Sequence, residues 1–264
     1  MGKTSLQSHA PEAEAPGRTR WKRWIPAGAL CLAAIAFWAL GLNRYLDLGW
    51  VIQRQNQLLN YVSAHWVTML TGYMILYAVI VALSIPGASI LTIVGGFLFG
   101  WIWGGLAALF GATFGALVVF LIARSSLGAV FKHKAGPFLR RLAGGFRENA
   151  ANYLLFLRLT PVFPFWLVNI APALLGVPLG VYLWTTVVGI IPGTFAFSVI
   201  GSGLGSVVEA QEMANPGCAA SGACSVDLDA LVTPQLLAAF FALGMTALIP
   251  ILVRFLRNRR SQKD

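Results

Sequence analysis

Charged side chains are scarce in this 264-residue chain: Asp, Glu, Lys and Arg make up 11% of it, and hydrophobic residues make up 58%. A soluble domain carries roughly 25% charged residues, which help to cover its surface. None of the four charged types occurs in residues 66–123 or 159–208, or in the shorter stretches 24–43 and 230–253. Because a membrane-spanning helix needs about 20 mostly apolar residues, each short stretch fits one span and each long stretch must hold more than one segment. The sequence therefore predicts an all-α, polytopic membrane protein.

Signatures of a catalytic or metal site are also missing. The sequence has no G-x-S-x-G, P-loop or H-E-x-x-H pattern, so we expect neither enzyme activity nor a cofactor. Cys31 lies in an apolar stretch and is expected to be inert packing. Cys218 and Cys224 share one polar loop, where they pair if the loop faces an oxidising compartment and otherwise stay free thiols. These cysteines offer too few ligands for a metal ion.

The formal net charge is +10, and most of the basic residues lie in blocks beside the apolar stretches, within residues 18–23, 124–147 and 254–263. This placement is typical of the positive-inside rule and of attraction to anionic lipid headgroups, and it argues against a nucleic-acid partner. The basic loop and the basic C-terminal tail favour the cytoplasm, and the acidic loop 206–233 favours the opposite side. The N-terminal block conflicts with this arrangement unless residues 86–103 cross the membrane.

The apolar and polar stretches divide the chain into five parts. Residues 1–23 are a disordered, basic tail, and residues 24–64 hold a first span plus an interfacial amphipathic segment. Residues 24–42 also fit a signal peptide, and residues 43–64 also fit a solvated loop. A core follows at 66–205, then a polar loop at 206–233, and a last span with its basic tail at 234–264. We expect about five spans in all.

Two broken segments stand out inside the core. The first is a hairpin over about residues 86–103, because Pro86 stops a helix and Gly95-Gly96 is a weak point where two half-helices turn. A full crossing by these residues is the alternative. The second is a hairpin over about 152–178, where four prolines in a charge-free setting break any continuous helix: Pro161, Pro164, Pro172 and Pro178. We also expect an interruption at Ile191-Pro192-Gly193.

The two broken segments repeat each other at a nearly constant offset along the chain. Phe97-Leu98-Phe99-Gly100 matches Ala173-Leu174-Leu175-Gly176, and Gly111-x-x-x-Gly115 matches Gly189-x-x-x-Gly193. One full span separates the hairpins, so the repeats are expected to be inverted. Broken segments at matching positions in two halves indicate a transport site at the membrane midplane.

Arg158 is the only charged residue embedded in the second broken segment. An arginine inside a membrane is costly, and it indicates a functional site unless it serves to hydrogen-bond carbonyl groups that the prolines leave free. Its planar guanidinium, together with nearby half-helix N-termini, favours a phosphate-bearing group. Asn169 lies in the same hairpin and could bond the unwound backbone there. No carboxylate lies inside any span, so a partner for proton coupling is missing.

Four segments together resemble the DedA superfamily, and most of all its branch of VTT-domain (SNARE-associated Golgi) proteins. They are PGASILTIVGGFLFG, FGATFGALVVFLIARSSLG, FLRLTPVFPFWLVNIAPALLGV and GIIPGTFAF, all within about residues 80–205. The resemblance implies two re-entrant hairpins that face each other in an inverted repeat. It also implies movement of phospholipids or polyprenyl-phosphate carriers between leaflets. Arg158 matches the family's arginine, and Pro161, Pro164 and Asn169 match its neighbours.

Taken together, these features predict a multi-pass protein of a bacterial inner or plasma membrane that moves phosphate-bearing lipids. The expected substrate contacts come from both hairpins: Arg158, Pro161, Pro164, Asn169, Pro86, Gly95 and Gly96. Many DedA proteins are linked to proton-driven transport through acidic residues near the first hairpin, and their absence here favours passive scrambling. A secondary transporter of a small anion and a non-transporting assembly factor are the alternatives. The expected partners are membrane lipids with anionic headgroups, and a homo-oligomer is an open alternative.

Overall fold

The structure is a computed structural model that describes residues 25–41, 48–85, 87–126, 149–160, 163, 165–218 and 234–250. Within these ranges the chain is helical and has no strand. The helices, in chain order, are α1 Ile25–Ala39, α2 Leu48–Gln53, α3 Gln55–Ala64, α4 Trp66–Ala82, α5 Ala88–Ser126, α6 Ala150–Leu159, α7 Phe165–Leu174, α8 Leu179–Ala214 and α9 Pro234–Thr246.

Two of these helices are long and apolar enough to cross a membrane: α5 has 39 residues and α8 has 36. If α3 and α4, which are bent by 115° relative to each other, form one unit, that unit is a third candidate span. Shorter apolar helices lie within α1, α6 and α9. These helices confirm the predicted all-helical membrane class.

Helix α5 folds back on itself at Gly100, where φ is 77° and ψ is 166°. Glycine adopts such a positive φ without a steric penalty. A Cβ on Gly104 would collide with the backbone of Gly95, although nine residues of straight helix would separate the two by about 13.5 Å. We therefore call residues 88–99 the short arm and residues 101–126 the long arm. The turn lies at Gly100, which corrects the predicted turn at Gly95-Gly96 and the predicted hairpin of 86–103.

The glycine pair stays helical because it serves close packing instead of a turn. A Cβ on Gly95 would collide with the Tyr73 side chain of α4, and one on Gly96 would collide with the backbone of Ser198 in α8. A Cβ on Gly201 in α8 would likewise meet the backbone of Ile93. The short arm is thus held backbone to backbone against α8, as small residues allow in membrane helices.

Helix α4 packs along both arms. The Tyr73 hydroxyl donates to the Leu91 carbonyl at 3.0 Å, and the Tyr77 hydroxyl lies 2.9 Å from Thr92 Oγ1. These bonds hold α4 against the short arm, and the two helices run antiparallel. Without its bond to Leu91, the buried Tyr73 hydroxyl would lack a partner.

The long arm meets α4 through the Gly111-x-x-x-Gly115 motif. A Cβ on Gly111 would lie 2.8 Å from the Met74 carbonyl oxygen, and one on Gly115 would lie 2.7 Å from Val81 Cβ. Both contacts are closer than a side chain tolerates, so the two glycines let the helices approach. The motif has the packing role that its spacing predicts.

The second broken segment forms a similar unit. Helices α6 and α7 are separate, a turn follows at Gly176 with φ 75°, and Pro178 directly precedes α8. Pro172 lies inside α7 and is fully buried. Pro161 and Pro164 fall outside the described residues, as does Pro86 of the first segment.

Pro192 does not interrupt α8, which corrects the predicted break at 191–193. The helix runs from Leu179 to Ala214 with Pro192 inside it. Proline removes one backbone donor, but membrane helices tolerate it when neighbouring groups and local adjustment satisfy the freed carbonyl.

The long arm and α8 run antiparallel along most of their length. Ser198 Oγ donates to the Trp101 carbonyl oxygen at 3.1 Å, and Tyr182 Oη lies 3.1 Å from the Ala116 carbonyl oxygen. Residue numbers therefore rise along the long arm as they fall along α8. This pair of helices forms the centre of the molecule.

Helix α1 lies against α4 and the long arm. Its first half, from Ala27 to Ala34, shares a cavity with Val119 and Ala123 near the end of the long arm. Phe37, near its other end, shares a different cavity with Met69 near the start of α4. The N-terminus of α1 is thus level with the C-terminal end of the long arm.

The predicted interfacial segment contains two short helices, α2 and α3, and the 115° bend directs α3 away from the axis of α4. Cys31 is free and exposed, which corrects its predicted role in packing. Cys218 is buried and disulfide-bonded. Cys224, the remaining cysteine, lies outside the described residues, as do the tail 1–23 and most of the loop 206–233.

Candidate functional site

A cavity of about 200 Å³ lies where the two hairpin units meet. Helix α4, both arms of α5, α6, α8 and α9 all contribute to its wall. Its polar lining comes from Arg158 of α6, Tyr77 of α4, Ser89 and Thr92 of the short arm, and Thr194 of α8. We call it the central cavity.

The central cavity lies halfway along the long arm. Ala112 lines it, and Ala112 is about 17 Å from the Trp101 end and about 21 Å from the Ser126 end at the helical rise per residue. The hydrocarbon core of a bilayer is about 30 Å thick, so a membrane around this helix places the cavity near the midplane.

Arg158 carries the charge of the site. Its Nη2 donates to Asn169 Oδ1 of α7 at 3.3 Å, and its Nε is buried without a hydrogen-bond partner. Gly189 makes room for it, because a Cβ there would lie 2.8 Å from Arg158 Cβ. A buried guanidinium N–H with no acceptor is costly, so the arrangement favours an anionic group that supplies the missing acceptor.

Tyr182 supports Arg158 from α8, and no sequence pattern pointed to it. The guanidinium carbon lies 5.1 Å from the centroid of the Tyr182 ring, within cation–π range. The Tyr182 hydroxyl lies 3.0 Å from Asn169 Oδ1, and the ring stacks on Phe120 with centroids 4.3 Å apart. Its single proton serves either Asn169 or the Ala116 carbonyl, and the contacts join α6, α7, α8 and the long arm around the arginine.

No carboxylate neutralises Arg158 in the described part of the chain. The only acidic residues there are Glu209 and Glu212, both near the end of α8. Glu209 is 20 residues beyond Gly189, which is about 30 Å along the helix. Among the described residues, the positive charge of Arg158 therefore has no ionic partner.

Two of the predicted site residues come together, and two others do not line the central cavity. Arg158 and Asn169 are in contact, although only Arg158 lines the central cavity. Gly95 and Gly96 pack against Tyr73 and α8 and are absent from the cavity wall. Pro86, Pro161 and Pro164 lie outside the described residues.

Sequence reasoning missed the hydroxyl groups that face Arg158 across the cavity. Tyr77, Ser89, Thr92 and Thr194 lie in apolar stretches where single hydroxyls carry little signal. Tyr73 and Tyr77 do share one face of α4, four residues apart, and both bond the short arm. That spacing is the one pattern that could have drawn attention to α4.

The geometry defines a class of protein: a helical membrane protein with two hairpin units around a buried arginine. Comparison with known families gives the same result, since the model described as the VTT domain matches residues 85–203. That match includes the short arm, the long arm, Arg158, Asn169 and Tyr182. Residues 85–203 therefore carry a VTT domain, the family that the four sequence segments resemble.

Known proteins with related sequences carry the name transmembrane protein 41. The homologue from Dictyostelium discoideum is 30% identical over 198 residues, which cover 74% of this chain and 54% of that protein. The homologue from Caenorhabditis elegans is 31% identical over 148 residues, covering 54% and 60%. Transmembrane protein 41B from Homo sapiens is 30% identical over 160 residues, covering 58% and 53%. The chain thus spans about half the length of the curated relatives it matches, and no solved structure matches it.

Proposed function

We propose that the two units are re-entrant hairpins in an inverted repeat. The first hairpin is α4 with the short arm, and the second is α6 with α7. Both units end in a glycine turn, with φ 77° at Gly100 and 75° at Gly176, followed by a long helix. The two long helices run antiparallel, as helices related by an inverted repeat do.

In the proposed topology the full crossings are α1, the long arm, α8 and α9. Helix α4 has 17 residues and returns as the short arm, so it dips into the membrane and leaves on the same side. This gives four spans in place of the predicted five. The change removes the charge conflict, because the N-terminal basic block, the basic loop after Arg124 and the basic C-terminal tail then all lie on the cytoplasmic side.

The acidic loop after α8 lies on the opposite side in this topology. The disulfide at Cys218 supports that side assignment, since disulfides persist in oxidising compartments. We propose the cell membrane as the location, which microscopy of a tagged, full-length chain tests.

Within this frame we propose that the protein moves phosphate-bearing lipids between leaflets and is not an enzyme. The observation that carries the proposal is Arg158, a half-buried cation at the midplane cavity with a buried Nε that has no partner. A phosphate group accepts two parallel hydrogen bonds from a guanidinium, which suits a site that presents one.

The start of the short arm adds to this preference for an anion. Ala88 and Ser89 are the first residues of the arm and line the central cavity. The N-terminus of a helix carries partial positive charge and free N–H groups. Arg158 and this helix start therefore face the same space from the two hairpins.

The absence of a nearby carboxylate in the described residues favours passive movement over proton coupling. An intramembrane acid is the usual carrier of a coupled proton. Lipid would then move down its own gradient, with its headgroup passing the central cavity and its chains remaining in apolar surroundings.

A secondary transporter of a small anion is the second candidate, and the size of the cavity favours it. Pockets for drug-sized ligands measure about 300–1,000 Å³, whereas the central cavity measures about 200 Å³. That volume suits a bare anion as well as a lipid headgroup. An assembly factor without transport activity would need Arg158 only for folding.

The experiment that tests the proposal is headgroup flipping of fluorescent phospholipid in proteoliposomes. We compare the wild type with Gly193→Leu, because Gly193 lines the central cavity and a Cβ there meets nothing within 4 Å. The leucine side chain would fill the cavity without touching Arg158's hydrogen bonds. We expect the wild type to flip lipid and Gly193→Leu to lose most of that activity.

Gly203→Leu is the matched control, since Gly203 lies in the same helix, is exposed and also has open space at its Cβ. Equal flipping by Gly193→Leu and the control would contradict a route through the central cavity. If the folded wild type flips no lipid but takes up small anions, the second candidate replaces the first.

A further inference from the structure

A second and larger cavity lies on the other side of α4 and the short arm. Its volume is about 410 Å³. Helix α4 and the short arm form one wall, and Phe37 of α1 with Val51 and Leu58 of α2 and α3 form the other. Tyr73 lines it, whereas Tyr77 lines the central cavity, so the tyrosine pair separates the two spaces.

The lining of this cavity is apolar and contains no charged residue among those described. Thr68 and Tyr73 supply its only side-chain hydroxyls. The Tyr73 hydroxyl already donates to the Leu91 carbonyl at 3.0 Å, so it does not require a ligand. An apolar cavity of this kind stays dry and takes up apolar molecules.

The shape of the cavity follows from the helices beside it. Its lining runs along the short arm from Ile90 to Phe99, which is about 13.5 Å of helix, and along α4 from Thr68 to Ile80, about 18 Å. In the proposed topology it extends from the interface at Trp66 and Phe99 to the midplane. It is therefore a narrow slot that lies parallel to the surrounding lipid chains.

We propose that this slot binds one hydrocarbon chain of a membrane lipid from the non-cytoplasmic leaflet. A hydrocarbon chain carries no polar group, so it gives up no hydrogen bond when it enters a cavity with an apolar lining. An extended peptide segment would bring N–H and C=O groups that find no partner there, and each such group costs several kcal/mol in an apolar setting.

The mouth of the slot suits the other end of a lipid. Leu58 lies in α3, whose exposed side chains include the polar residues Gln57 and Asn60. Arg54 precedes this helix and is exposed, and in the proposed topology α3 lies at the membrane interface, where lipid headgroups sit. The slot thus offers an apolar interior next to a polar interfacial helix, as a lipid requires.

This inference deepens the proposed function, and it takes from that proposal the membrane placement and lipid as the ligand. The slot and the central cavity share the wall formed by α4 and the short arm. A lipid anchored in the slot by one chain is held beside the hairpin that the headgroup must pass. The first hairpin would therefore bind a lipid chain, whereas Arg158 would contact the headgroup.

The test uses the full-length protein in lipid nanodiscs that contain a phosphatidylcholine with a diazirine at the end of one chain. After photolysis, mass spectrometry maps the labelled residues. We expect label on Tyr73, Leu91 and Val94, which are 7%, 4% and 9% exposed and which lipid around the protein cannot reach. Phe110 and Phe114 face outwards with 62% and 64% exposure, and they report ordinary contact with surrounding lipid.

Gly72→Leu is the variant that closes the slot, because Gly72 lines it and a Cβ there meets nothing within 4 Å. Losing contact with two methylene groups is enough to reduce binding about tenfold, so label on the buried residues should fall by about that factor. Label on Phe110 and Phe114 should not change. Gly203→Leu, which lies away from the slot, should behave as the wild type.

Leu76→Trp is the second variant, and it replaces Gly72→Leu if that protein does not fold. Label on Phe110 and Phe114 without label on the buried residues would overturn the inference, as would unchanged labelling in a folded slot variant. Label in the slot together with a wild type that flips no lipid would keep the inference and refute the proposed function.

Discussion

The guanidinium of Arg158 lies over the ring of Tyr182, 5.1 Å from its centroid, while both side chains meet Asn169 Oδ1. This triangle joins α6, α7 and α8 at the edge of the central cavity. It holds a positive charge in place without a carboxylate in the described residues. Among the described residues the charge is therefore positioned without an ionic partner, which is the arrangement that the proposed passage of a phosphate group needs.

Replacing Arg158 with lysine should separate geometry from charge. Lysine keeps the charge but cannot offer two parallel N–H groups to a phosphate or lie flat over Tyr182. We expect lipid flipping to fall about tenfold or more, the ratio that corresponds to about 1.4 kcal/mol. Flipping in proteoliposomes at equal amounts of folded protein measures this. Full activity in Arg158→Lys would show that a point charge is sufficient.

Replacing Tyr182 with phenylalanine should test the support of Arg158. The variant keeps the ring and its stacking on Phe120 but loses the hydroxyl contacts to Asn169 and Ala116. A buried hydrogen bond contributes about 1 kcal/mol, and partners left unsatisfied cost more. We expect a lower thermal midpoint of unfolding, measured by size-exclusion chromatography after heating, and weaker flipping. If the variant is as stable and active as the wild type, the Tyr182 hydroxyl does not support Arg158.

Alanine at Gly201 should loosen the contact between the short arm and α8. Its Cβ would collide with the backbone of Ile93 in the short arm, and backbone cannot move aside as a flexible side chain can. Overpacking of this kind costs about 1–3 kcal/mol. We expect a clear drop in the thermal midpoint of Gly201→Ala. Gly203→Ala in the same helix has open space at its Cβ, gains helix propensity and should not be destabilised.

Alanine at Gly100 or Gly176 should weaken the glycine turn that joins each hairpin to the long helix after it. Both residues have positive φ, at 77° and 75°, where an L side chain is strained. The strain costs about 1–2 kcal/mol per residue. We expect each single variant to lower the thermal midpoint and the double variant to lower it by the sum, since the turns lie in different units. Midpoints equal to that of the wild type would contradict the assignment of these turns.

The sequence by itself determined the membrane class and the two broken segments, and it drew attention to Arg158. Each follows from features that can be read locally in the chain. These are long runs without charge, prolines inside those runs, and one arginine among apolar residues. The matched glycines also indicated the two turns, although the first turn was expected too early in the chain, at Gly95 instead of Gly100.

Only the tertiary structure decided how these parts are used. A glycine in an apolar run serves equally as a turn, as Gly100 does, or as a contact surface, as Gly96 does, and the choice depends on which helix lies beside it. Tyr182 and Tyr77 became site residues because α8 and α4 carry them to Arg158 from distant positions on either side of it in the chain. Pro192 stays inside α8 without ending that helix. The local sequence does not indicate which residues become neighbours in space, because packing between segments that are distant in the chain decides this.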